Sequence, residues 1–185
     1  MRVIGAVGKI GSGKDSVIRY ISTKCSLQIL SVGDIAREIA KNEGLPATRE
    51  NLEVITERYY EKYGGSYFID ETLRRIERAN CERILITGIR APTDAMALRE
   101  RFHDDFILIC VRANAQKRFQ RLLSRRESRD PKTWQQFLEQ DRTEEKIFHI
   151  EETCRLADYR IDNDGTVEEL HQKIGDTISK TWKCC

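Results

Sequence analysis

The chain has 185 residues, with 32 Lys and Arg against 30 Asp and Glu, a net charge of +2, 39% hydrophobic and 34% charged residues. That length suits one domain with a substantial core, and no apolar run approaches the about 20 residues of a membrane-spanning helix. The charge is nearly balanced but locally basic between Arg112 and Arg142, a pattern that suits a phosphorylated small molecule rather than a long nucleic acid.

Arg2 to Val7 reads as a buried strand, followed by Gly8-Lys9-Ile10-Gly11-Ser12-Gly13-Lys14 and a helix over Asp15 to Lys24. The G-x-x-x-x-G-K spacing between a strand and a helix is a phosphate cradle. Glycines let the backbone turn its N–H groups inward, the helix N-terminus adds its dipole, and the lysine supplies a mobile positive charge. Asp15 stands where the common motif has Ser or Thr as a magnesium ligand, with Ser16 next. The apolar run before the loop is too short for a signal peptide. Six cysteines are scattered without a C-x-x-C pair. Together these predict a cytoplasmic chain with no zinc site and no structural disulfide; Cys184 and Cys185 read as a frayed tail.

Leu27 to Leu30 is the second predicted strand. It ends in Ser31-Val32-Gly33-Asp34 before a helix over Ile35 to Asn42, stopped by Gly44 and Pro46. Leu52, Ile55 and Tyr59 have helical spacing; after Gly64-Gly65, Phe68, Leu73 and Ile76 continue a second helical run to Ala79. Arg83 to Thr87 is a third strand, apolar on consecutive positions as a doubly covered parallel strand requires. A helix over Thr93 to Arg101, a strand over Phe106 to Val111 and a helix over Asn114 to Leu123 follow. Residues 124–131 are polar and broken by Pro131, so they read as a mobile flap. A helix from Trp134 carries Asp141-Arg142, a short helix precedes a last strand around Tyr159 to Ile161, and a final helix places Val167, Leu170, Ile174 and Ile178 on one face. The alternation predicts an α/β, three-layer fold with a five-stranded parallel sheet and the ligand site at the strands' carboxyl edge. Loops there carry Lys14, Gly33-Asp34, Gly88 to Arg90, Arg112 and Asn163 to Gly165.

Ser31-Val32-Gly33-Asp34-Ile35-Ala36-Arg37 resembles the S-T-G-D-x-x-R segment of adenylate kinase and other P-loop nucleoside monophosphate kinases, departing only at Val32. By that resemblance Gly33 permits close approach and Arg37 forks onto the acceptor phosphate. Ile86-Thr87-Gly88-Ile89-Arg90 is similar to the family's D-G-F-P-R turn, with Arg90 the second arginine on that phosphate. Thr87 stands where the family has an aspartate that organises magnesium water. With Asp15 on the cradle, the two departures together place the metal-organising carboxylate on the loop, and Asp15 and Ser16 are the candidate metal ligands.

Arg121 and Arg125 resemble an R-x-x-x-R pair, the first stacking on the adenine of ATP and the second reaching its phosphates; Arg129 and Arg142 resemble lid arginines that close on the transferring group. Residues 157–166 resemble the A-D-Y-V-I-D-N-x-G ending of dephospho-CoA kinases, which places Asn163 and Gly165 against the donor adenine. The chain also resembles an uncharacterised archaeal group of adenylate-kinase-like and dephospho-CoA-kinase-like proteins through its G-I-R turn, D-P-K-T-W flap and D-R-x-E helix. His103, His149 and His171 lie far apart and form no hydrolytic constellation.

The resemblance implies one P-loop kinase domain over 1–185, with a helical acceptor-binding insert at about 33–79 and a lid at about 125–142. It implies ATP and Mg²⁺ as cofactors and phosphoryl transfer to a nucleoside or nucleotide monophosphate. Gly8, Gly11, Ser12, Gly13, Lys14 and Asp15 would hold the donor, and Lys14, Arg125, Arg129 and Arg142 would stabilise the transferred group. Transfer to a hydroxyl, as in dephospho-CoA kinase, stays open with Asp34 as base, although the family's D-A-D signature is missing. A nucleotide-gated regulatory ATPase also stays open, as do monomer and homodimer.

Overall fold

A computed structural model of the chain describes every residue except 126, 128, 129 and 182–185, so Arg129, Cys184 and Cys185 lie outside the described residues. Five strands, β1 (Arg2–Val7), β2 (Ile29–Ser31), β3 (Arg83–Thr87), β4 (Phe106–Arg112) and β5 (Tyr159–Asp162), form one sheet in the order β2-β3-β1-β4-β5. Every pairing is parallel, with Ile4 opposite both Leu85 and Ile107 in the central register. The helices are α1 (Lys14–Cys25), α2 (Val32–Asn42), α3 (Arg49–Tyr63), α4 (Tyr67–Arg78), α5 (Pro92–Phe102), α6 (Ala115–Arg125), α7 (Trp134–Phe148), α8 (Ile150–Arg155) and α9 (Val167–Thr181). Among the described residues, no helix is long and apolar enough to cross a membrane.

The period of two along each strand divides the core into two layers. Val3, Val7, Ile84, Ile86, Phe106, Leu108 and Cys110 face Ile69 and Ile76 of α4, Leu98 of α5, and Ile150 and Cys154 of α8. Ile4, Ala6, Leu85, Ile109, Val111 and Ile161 face Val17, Ile18 and Ile21 of α1 and Leu170, Ile174 and Ile178 of α9. A separate cluster, Ile35, Ala36, Ala40, Ile55 and Phe68, joins α2, α3 and α4. The central strand β1 lies between β3 and β4, the point where chain connections diverge and ligands of such sheets bind.

The predicted strands and helices are all present, with one shift that bears on function. The second strand runs over Ile29–Ser31 instead of Leu27 to Leu30, and α2 begins at Val32 instead of Ile35. Ser31 is extended at φ −116° and stands at the N-cap position without a side-chain cap bond, so Gly33 and Asp34 occupy the helix's first turn. The acidic Asp34 there complements the helix dipole.

The expected absence of a structural disulfide is corrected: Cys110 in β4 and Cys154 in α8 are bonded across a sequence separation of 44, with Cα atoms 5.2 Å apart. Both are core positions that α8 brings together by packing under the sheet, and no local spacing marks such a pair. Closing a loop of that length contributes about 2–4 kcal/mol by constraining the unfolded chain. Reduction under denaturing conditions should therefore expose two additional thiols, and Cys154→Ser should lower unfolding free energy by about 2–4 kcal/mol in a denaturant titration. An unchanged midpoint with and without reductant would contradict the bond.

Candidate active site

The loop between β1 and α1 folds as the glycines require. Gly13 has φ +93°, where a side chain is strained, and a Cβ there would meet Asn163 Nδ2 at 2.4 Å. At Gly8 a Cβ would lie 2.3 Å from the Val111 carbonyl oxygen, so the loop's entrance is sealed against β4. Gly11, at φ +75°, passes over the backbone of α6 at Arg118. Ser12 Oγ is buried with no hydrogen-bond partner. An orphaned hydroxyl inside a turn with two left-handed glycines, at the N-terminus of a 12-residue helix, fits a phosphate ligand of the kind the motif implies.

Three side chains brace the loop from outside. Asn163, just past β5, donates from Nδ2 to the Ser12 carbonyl at 2.8 Å. Arg121 donates to the Asn163 carbonyl at 2.6 Å and, at 3.4 Å, to the carbonyls of Gly11 and Ser12. Arg118, 4% exposed, forks onto Asp141 of α7 at 2.6 and 2.8 Å and also donates to the Ile10 carbonyl at 3.2 Å. Its guanidinium lies 5.0 Å from the centre of the Phe137 ring. Arg118 and its partner Asp141 brace the loop at positions that motif reading misses; the sequence signal is that 118, 121 and 125 share one helical face.

Lys14 sits among Asp15, Glu144, Arg90 and Arg125. Burial pushes its ammonium below the usual range, and Arg90 and Arg125 push the same way against Asp15 and Glu144. For Asp15, burial pushes upward but is outweighed by Lys14, by the Thr87 hydroxyl and by Arg125 and Arg19, so its carboxyl lies below the usual range. The Thr87 hydroxyl donates to Asp15 Oδ1 at 2.5 Å. The two departures from the family pattern therefore touch each other across the gap between α1 and the end of β3. Ser16 follows on α1 and is exposed. No group of three or more metal-ligating side chains occurs among the described residues.

On the other side of Thr87, Gly88 packs against the start of α2, where a Cβ on it would lie 3.3 Å from Val32 Cβ. The segment carrying Arg90 and the segment carrying Arg37 are thus neighbours. Arg37 lies over Gly33 and forks onto Asp34 Oδ1 at 2.9 and 2.6 Å, with a further 3.3 Å bond to Ser31 Oγ. Arg90 is pinned at its backbone: its N–H donates to Asp94 at 3.2 Å, its carbonyl accepts from Thr153 Oγ1 at 2.7 Å, and its guanidinium covers the Phe148 ring at 4.9 Å. Tyr60 of α3 borders this place; burial pushes its phenol upward, as does Asp94, while Arg90 pulls it down.

Of the expected lid residues, Arg125 forks onto Asp130, with one bond at 2.9 Å, while its charge still reaches Lys14 and Asp15. Arg142 is on the exposed face of α7 and is not brought to the cradle. The inward face of that helix carries Phe137, Asp141, Glu144 and Phe148 instead. Gly165 lies exposed in the turn after β5, two residues beyond Asn163. His171 stacks on Tyr20 at 4.0 Å, and His103 and His149 sit at helix ends.

A family model described as an AAA domain matches residues 4–149. A UPF0200 protein of Pyrococcus horikoshii is 34% identical over 182 residues, covering 96% of each chain. Among solved structures, TT1252 from Thermus thermophilus superposes with a TM-score of 0.67 at 16% identity, covering 97% of each chain. A shikimate kinase from Acinetobacter baumannii, in complex with shikimate, gives 0.60 at 22% identity over 99% of this chain and 96% of that one. The chain thus belongs to the AAA domain family that this model describes and to the UPF0200 family, and its architecture is that of the P-loop kinases.

Proposed function

We propose that the protein is an ATP- and Mg²⁺-dependent phosphotransferase acting on a small phosphorylated acceptor, with a nucleoside monophosphate as the leading candidate. The observation that carries this reading is that the cradle at Gly8 to Lys14 and the two arginines, Arg37 and Arg90, flank one residue, Thr87, at the carboxyl edge of the sheet. A donor phosphate on one side and an acceptor phosphate on the other would then converge in line. Regulatory P-loop proteins need the first half of such a site but not the second.

The amides of Gly11 to Lys14 and the Ser12 hydroxyl would hold donor phosphate oxygens, with Lys14 following the transferred group. Partial burial strengthens each of these interactions relative to water. Arg37 and Arg90 would fix the acceptor by bidentate contacts, Arg37 exchanging its bond to Asp34 for the incoming anion. Arg125, and the lid residues Arg129 and Arg142 on closure, would stabilise charge on the transferred oxygens. Arg121, Asn163 and Gly165 would border the adenine end while bracing the loop. Bound magnesium would neutralise donor charge, with Asp15 as its carboxylate, directly or through water, and Thr87 and Ser16 as the adjoining hydroxyls.

Incubation with ATP, magnesium and a panel of nucleoside monophosphates and dephospho-CoA should yield a phosphorylated product. Acceptor-independent phosphate release alone would instead favour the regulatory reading. Lys14→Ala should abolish transfer. Asp15→Asn should raise the magnesium concentration for half-maximal activity, or lower turnover, by about 10–100-fold; unchanged magnesium dependence and turnover would sink the carboxylate's assigned role. Arg37→Ala and Arg90→Ala should each lower kcat/KM for the acceptor about 10–100-fold, the loss of one charge-assisted contact, while leaving the affinity for ATP near that of the wild type in fluorescent-nucleotide titrations. A variant that weakens ATP binding and acceptor use equally would place its arginine on the donor side.

A further inference from the structure

The arginines around the site are held in two ways. Arg37 is forked onto Asp34, Arg118 onto Asp141 and Arg125 onto Asp130, so each has donors committed to a carboxylate. Arg90 is held differently. Among the described residues no oxygen takes a hydrogen bond from its guanidinium, which lies over the Phe148 ring, 4.9 Å from the centroid. An aromatic face attracts a cation through the ring's quadrupole and uses none of its N–H groups. A guanidinium held by its face therefore keeps its fork of donors at the edge.

The surrounding frame supports the same arrangement. The Asp94 carboxylate is turned to the backbone, where it accepts the N–H of Arg90 at 3.2 Å and that of Ala91 at 3.1 Å. Thr153, fully buried, donates to the Arg90 carbonyl at 2.7 Å, and the next residue of α8, Cys154, is bonded to Cys110 of β4. The Arg90 backbone is thus fixed from α5 and α8, and its side chain rests on the last residue of α7. Arg90 itself is exposed, and a long side chain in water samples many rotamers unless something holds it. Phe148 is half-buried against the core layer that contains Ile150 and Cys154. Any apolar side chain could fill that place in the core; a π-face under the guanidinium is what an aromatic one adds.

We infer that Phe148 is a positioning residue for Arg90: its ring holds the guanidinium by the face and leaves the edge open for a bidentate contact with an oxyanion, the phosphate of the acceptor. The identity of that anion rests on the phosphotransferase reading above, to whose acceptor side Phe148 is added. Arg37 has to release Asp34 before it can take the phosphate, whereas Arg90 meets the phosphate with its donors uncommitted. Phe148 touches neither donor nor acceptor in this role and acts only through the arginine.

The test reads acceptor binding separately from transfer. Full-length protein with magnesium is given each common ribonucleoside monophosphate and dephospho-CoA, with ATP to follow transfer and with a non-hydrolysable ATP analogue to follow acceptor binding by calorimetry. Phe148→Leu and Phe148→Met, which keep an apolar side chain and remove the ring, should raise the acceptor KM and dissociation constant about 3–30-fold. Their kcat and their affinity for the ATP analogue should stay within about threefold of wild type. Phe148→Tyr keeps the ring and should bind the acceptor within about threefold of wild type. In the Arg90→Ala background the effect of Phe148→Leu should shrink below about twofold, because the ring then has no cation to hold. An effect of Phe148→Leu below about threefold, or one of the same size without Arg90, would overturn the inference and leave the phosphotransferase reading standing. Parallel loss of affinity for the ATP analogue in both ringless variants would also overturn it, by assigning the ring to the fold. If the wild type binds an acceptor but transfers nothing to it, the phosphotransferase reading fails and the binding constants alone decide the role of Phe148; a wild type that binds none overturns both.

Discussion

The pair of buried Arg118 and half-buried Asp141 is the constraint on which the site's geometry depends. Taking both ions out of water costs several kcal/mol each, and the cost is offset by a bidentate bond at 2.6 and 2.8 Å, by the carbonyls of Ile10 and Ala113 at 3.2 Å, and by the face of Phe137. With its donors so engaged, the guanidinium has little freedom. One side chain therefore joins the phosphate loop, the start of α6 and the inward face of α7. The loop's path at Gly11 runs so close to the α6 backbone that a Cβ there would meet the Arg118 carbonyl oxygen at 2.7 Å. The loop and α7 are thus tied through one guanidinium, which bonds both the Ile10 carbonyl and Asp141.

Much of this was legible in the sequence because the strands are apolar on consecutive positions and the glycine loop carries its own geometry. The strand-helix alternation set the architecture, and the S-x-G-D-x-x-R and G-x-R segments, singled out as motifs, lie side by side at the sheet edge. What escaped were features determined by helix phase and by long-range packing. Nothing local in α2 announced that the helix starts at Val32. The disulfide joins residues 44 apart whose only shared property is a core position. Among Asp141, Arg142 and Glu144, the arginine drew attention for its chemistry. The Thr133 cap and the burial of Phe137 turn the helix so that Arg142 faces solvent and Glu144 is buried. Charge type is a property of one residue, but which way it points belongs to the whole helix.

The contact between Thr87 and Asp15 changes how the departures at those positions are understood. Considered singly, each loses a recognised magnesium-site feature. Together they preserve a hydroxyl-to-carboxylate bond between the loop helix and β3 while exchanging its ends. The exchange puts the negative charge in the first turn of α1, where the helix dipole favours it, and beside the phosphate seat, where it repels a donor unless a cation lies between.

The cations around the site already have internal partners: Arg37 holds Asp34, Arg125 holds Asp130, Lys9 contacts Glu145 and Glu151, and the charges of Asp15 and Glu144 act on Lys14. An incoming phosphate would therefore have to displace carboxylates at these residues instead of meeting bare positive charge. Each exchange trades one charge-assisted bond for another, so the net gain per contact is small and affinity accrues only when several exchanges occur together. Three of the carboxylates, Asp130, Glu144 and Glu145, lie in or next to the α7 segment. The carboxylates that neutralise these cations are thus concentrated on that segment, and an anion drawn to the cations would have to shift or screen them.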